Sequence, residues 1–109
     1  MSLLVDYDDL ENKGFDGGGG EILYYKDEPF TGFIVDYYEN GRLASEEEYK
    51  DSYKDGAVRQ YFENGQIEEE YFIKYHRLYD SYKLWDSNGI LIMYLLYNND
   101  GNVIERLIG

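Results

Sequence analysis

A chain of 109 residues holds one domain, and a hydrophobic share of 43% allows it only a limited core. Its 23 acidic and 10 basic side chains leave a net charge of −13, which repels nucleic acid and anionic lipid and suits a basic protein partner. There is no cysteine, so disulfides, thiol catalysis and thiolate metal sites are excluded.

The 14 tyrosines, 5 phenylalanines and single proline argue for strands and against disorder. The start of the chain lacks the basic-then-apolar pattern of a signal peptide. The longest apolar run, ILIMYLLY at 90–97, is far short of the roughly 20 residues that span a bilayer. A cytoplasmic protein with no membrane insertion is expected.

The chain opens with an arm, MSLLVDYDDL, that carries a few apolar residues. GGGG at 17–20 is too costly in entropy for a regular element and reads as a flexible loop. It lacks the strand before, helix after and nearby base of a phosphate cradle. Beyond it the chain repeats itself. Asn-Gly occurs at 40–41, 64–65 and 88–89. Tyr37, Tyr61 and Trp85 keep the same spacing of 24, as do Leu43, Ile67 and Leu91, and Tyr25, Tyr49, Ile73 and Tyr97. Gly32 and Gly56 match as well, and Asp80 breaks their series.

Asn-Gly between two β-rich runs is the strongest short hairpin signal, and a type I′ turn would place both residues at positive φ. EILYYK (21–26) is the expected first strand, and three hairpins with tips at the Asn-Gly pairs follow it. A second type of connection, DEPFTG (27–32), DSYKDG (51–56) and YHRLYD (75–80), joins the units, and NVIERLI closes the series. The expected fold is all-β, a single antiparallel meander of about eight strands. The expected division is an arm and Gly-rich loop over 1–20 and a β-repeat domain over 21–109.

Two-residue loops also sort the side chains by face. Ile34, Tyr49, Val58, Tyr71, Ile73, Tyr82, Leu84, Met93, Leu95 and Tyr97 fall on a mostly apolar face, with Tyr38, Leu43, Phe62, Ile67 and Leu91. The opposite face holds Tyr37, Tyr61 and Trp85 as a stripe among Glu46, Glu48, Glu68, Glu70, Arg59 and Lys83, with Arg59 opposite Glu70. Strand 90–97 is apolar on both faces and needs a cover from the arm, a curled sheet or a second subunit.

The phrase YYENGRLASEEEYKDSYKDG (37–56), then YFENGQIEEEYF (61–72) and a weaker LWDSNGILIMYLLYNNDG (84–101), resembles the MORN-repeat variant of bacterial antitoxin or immunity proteins of the YwqK type. The resemblance covers about 25–101. Glu47, Tyr71 and Leu95 depart from it, standing where that family often has glycine.

The resemblance implies an antitoxin or immunity protein that binds and silences a cognate toxin. An acidic inhibitor fits a basic, nucleic-acid-attacking target. Tyr37, Tyr61 and Trp85 would anchor that partner, and Glu46, Glu48, Glu68 and Glu70 would stand where phosphates bind. The alternatives are ordinary solubility for the charge, ladder packing for the aromatics, and a scaffold module or homodimer joined through the apolar C-terminal strands.

No catalytic residue, cofactor or metal is expected. His76 is the lone histidine and reads as a turn residue, and acidic repeats supply carboxylate pairs without catalytic meaning. NNDGN at 98–102 lacks the closing glutamate of a calcium loop and reads as a hairpin turn.

Overall fold

The computed structural model describes residues 3–108. Eleven strands form two sheets. β1 (Leu4–Val5), β5 (Gly32–Tyr37), β6 (Leu43–Lys50), β7 (Tyr53–Tyr61), β8 (Ile67–Lys74), β9 (Arg77–Trp85), β10 (Leu91–Tyr97) and β11 (Val103–Ile108) lie in that order in an eight-stranded sheet. β5 to β11 are an antiparallel meander, and β1 joins β5 in parallel. β2 (Glu11–Phe15), β3 (Glu21–Tyr25) and β4 (Glu28–Pro29) form a separate three-stranded sheet. One short 3-10 turn, Tyr7–Asp9, lies in the arm.

The antiparallel meander and the eight strands of its sheet follow the expectation, but the first strand does not. EILYYK leaves the main sheet because the edge of β5 is already taken. The Phe33 N–H donates to the Leu3 carbonyl at 2.8 Å, and Leu4 and Val5 pair with Phe33 and Ile34. β3 and β4 fold back over one face of the first unit instead. Leu23 and Phe30 are buried there with Val5 and Tyr49, and Leu10, Tyr25 and Ile34 pack beside them. The next unit carries Glu47 and Lys54 at the matching positions, joined as an ion pair at 3.5 Å. The first unit has the apolar residues that burial requires.

The backbone seals this docking. Leu23 N–H donates to the Ser52 carbonyl at 3.0 Å, and Ser52 N–H to the Phe30 carbonyl at 2.9 Å. The glycine run is an ordered hairpin tip between β2 and β3. Asp16 N–H donates to the Gly20 carbonyl at 2.9 Å, and Asp16 Oδ1 accepts from the amides of Gly18 and Gly20. The boundary expected at 20/21 therefore falls within one hairpin.

The Asn-Gly turns also differ from expectation. Tyr38 N–H donates to the Arg42 carbonyl and Gly41 N–H to the Tyr38 carbonyl, both at 2.9 Å. The same pattern recurs at 62–66 and 86–90. These are three-residue loops with glycine alone at positive φ, at 85°, 92° and 84°. The extra loop residue is cancelled by a β-bulge just beyond it, so Arg59 still faces Glu70 and Lys83 still faces Tyr94. The inner register is the one a two-residue loop would give.

The asparagines bond with their side chains. Asn40 Oδ1 accepts from Arg42 N–H at 2.9 Å, and its Nδ2 donates to the Glu63 carbonyl at 3.0 Å. Asn64 does the same with Gln66 and Ser87, so each tip is tied to the next. Paired positive φ occurs at the opposite ends of the strands, at Lys26 and Asp27, Asp51 and Ser52, and Tyr75 and His76. Asp80 holds the Gly32 and Gly56 place and is also at positive φ, 63° against 154° and 115°.

Candidate protein-binding face

Cross-strand pairing puts Val35, Glu46, Arg59, Glu70, Lys83 and Tyr94 in one row across the sheet. At its centre Arg59 bridges two strands. Its Nε lies 2.8 Å from Glu70 Oε2 and its Nη1 lies 3.3 Å from Glu46 Oε1. Burial works against the guanidinium charge, but Glu70 and then Glu46 outweigh it and raise the Arg59 pKa. The Tyr61 hydroxyl also donates to Glu46 Oε1, at 2.7 Å. Burial, then that carboxylate, pushes the Tyr61 phenol up to about 12. Lys83 Nζ sits 4.9 Å from the centre of the Tyr94 ring.

The seven residues singled out from the sequence are thus placed unequally. Tyr37, the last residue of β5, is exposed. Tyr61 is half-buried beside Glu46, and Trp85 is half-buried at the end of β9, paired with Leu91. Glu46 and Glu70 each give one oxygen to internal partners. Glu48 Oε1 accepts from the Ala57 amide at 3.1 Å and lies over Gly56. Glu68 is half-buried and makes no hydrogen bond or ion pair among the described residues. Glu46, Glu48 and Glu70 therefore hold the sheet together as much as they charge it. Their fixed oxygens are acceptors already set in place, which lowers the ordering cost of a bound cation.

The opposite face holds residues that the apolar reading passed over. Glu47 pairs across to Ile34 and Val58, and Glu69 to Gln60 and Leu84. Each is the middle of a Glu-Glu-Glu run, and strand alternation alone places it opposite its neighbours. The Tyr82 hydroxyl donates to Glu69, and burial, then this bond, pushes its phenol up. The arm covers this face over the first unit, not the third. His76 meets the glycine tip, with Nε2 3.0 Å from Asp16 Oδ2 and its ring where side chains on Gly18 and Gly20 would stand. Among the described residues no group of three or more histidine, cysteine or acidic side chains could hold a metal ion. No described helix is long and apolar enough to cross a membrane.

Residues 35–51 and 54–75 match the family model of the MORN repeat variant. No curated protein and no solved structure matches the chain. The matched segments run from within β5 to just past β8, and the third hairpin repeats their loop geometry with Gly89 at φ 84°. Residues 35–51 and 54–75 are thus similar to MORN-variant repeats.

Proposed function

We propose that this chain is a non-enzymatic protein-binding module of the repeat type. In its more specific form, it is an antitoxin or immunity protein that captures a basic toxin on the face built around Arg59. The carrying observation is the fixed carboxylate row. Glu46 and Glu70 are held by Arg59 and Tyr61 with one oxygen each unengaged among the described residues, Glu68 lies on the same strand, and Tyr37 is exposed. A net charge of −13 would speed the approach of a basic partner and make the encounter salt-dependent.

The test is a pull-down from the source cell with salt varied in the wash, followed by titration of the recovered protein. Glu68→Gln with Tyr37→Ala removes a free carboxylate and an exposed ring without touching the Arg59 bridge. About tenfold weaker binding, with a shallower salt dependence, supports the reading. Unchanged binding moves the site off this face, and recovery of no basic protein removes the toxin reading.

A further inference from the structure

The face that β3 and β4 cover over the first unit has no hairpin over it in the third among the described residues. There Tyr71, Leu78, Tyr82, Met93, Leu95 and Tyr97 line a cavity of about 370 Å³. Register places them together, since Tyr71, Tyr82 and Leu95 are cross-strand neighbours and the Tyr71 and Tyr82 rings stack at 6.0 Å.

The repeat relates this patch to both sides of the contact already made within the chain. Steps of 24 take Ile34 to Tyr82 and Tyr49 to Tyr97, so the patch matches the floor under the folded-back hairpin. The same steps take Leu23 to Leu95, Tyr25 to Tyr97 and Phe30 to Leu78, so it also matches the hairpin side chains that pack on that floor. A repeat face that packs on a repeat face is therefore present within one molecule. A second copy offers the same surface again.

Charge favours the same partner. None of the six lining side chains carries a charge at neutral pH, and the Glu69 carboxylate nearby is bonded by Tyr82. On a molecule of −13, such a patch is where two copies can meet with least repulsion. We propose that the third units of two copies pack face to face around Leu95 and Tyr97. The dimer would be two-fold and its sheets about 10 Å apart. The row around Arg59 would stay outward.

Sedimentation of the full chain across protein concentration should show mass rising from 12.9 kDa towards twice that value, more readily at high salt, where like charges are screened. Leu95→Glu should weaken self-association by about 100-fold, because it buries an unpaired carboxylate. The chain has no cysteine, so Leu95→Cys introduces one thiol with little change of polarity. Oxidation should link that variant as a dimer and leave Leu107→Cys, on the exposed edge strand β11, unlinked. A chain monomeric at all concentrations overturns the proposal. So does a dimer that links through position 107 and ignores Leu95→Glu, because that outcome is edge pairing.

Discussion

Gly56→Ala tests whether the bulge in β7 is built around a glycine. Gly56 stands at φ 115°, and a Cβ there would lie 2.0 Å from Glu48 Oε1. The backbone conformation alone costs an L residue about 1–3 kcal/mol. Moving Glu48 aside also takes the charged acceptor from the Ala57 amide, a loss of about 1 kcal/mol once water is allowed to replace it. The sum, about 3 kcal/mol, lowers the melting temperature of a domain this size by about 12–24 °C.

Gly41→Ala is the comparison. It has φ 85° but nothing within 4 Å, so it should cost about 1 kcal/mol, for the backbone alone. Thermal unfolding followed by circular dichroism gives both values. Adding Glu48→Ala to Gly56→Ala clears the clash, so the double variant should lose less stability than the two single losses added. A Gly56→Ala protein within about 4 °C of the parent, or strict additivity with Glu48→Ala, would refute the steric account.

Arg59→Gln leaves Glu46 and Glu70 without the guanidinium that bridges them. The site is half-exposed, so the loss should be about 1–2 kcal/mol in urea unfolding and should shrink with added salt. Asn64→Ala cuts the tie to the next hairpin tip at Ser87 and should cost about 1 kcal/mol. Burial raises the Tyr49 phenol to about 12, and burial with Glu46 raises Tyr61 similarly, while an unfolded tyrosine titrates near 10. The folded state holds those protons more tightly, so their stabilisation is complete below about pH 10 and is lost as pH rises towards 12. Phenolate absorbance should show a subset of the 14 tyrosines titrating only as the sheet unfolds.

The hairpins were legible because 24-residue spacing, turn residues and alternation all agree. The register was legible for a less direct reason. The loops at Asn40, Asn64 and Asn88 are one residue longer than expected, and the bulge beside each removes the difference. Arg59 opposite Glu70 therefore follows from either loop. The fate of EILYYK was not legible from periodicity, because Tyr25 keeps the repeat while Leu23 and Phe30 stand where the next unit has Glu47 and Lys54. Those two substitutions, together with the Leu3 carbonyl at the edge of β5, turn the segment onto the face of the sheet. The bond to the Leu3 carbonyl was not visible from sequence. Of the candidate site, the sequence placed the row around Arg59 on one face, yet the engagement of Glu46, Glu48 and Glu70 by neighbours depends on long-range geometry.

The way β1 lies along β5 gives the sheet a direction. One margin is shut by a short parallel strand and a hairpin folded over it, and on the other β11 has all six residues exposed. Each interior unit touches only its neighbours, so a duplicated 24-residue segment placed between β8 and β9 would find matching partners on both flanks. It would widen the sheet by two strands, about 10 Å, and leave β1 and β11 at the margins, giving up only the contact of His76 with the glycine tip. Lengthening could proceed from within without unpicking the N-terminal closure, so a family of wider and narrower versions can share one start.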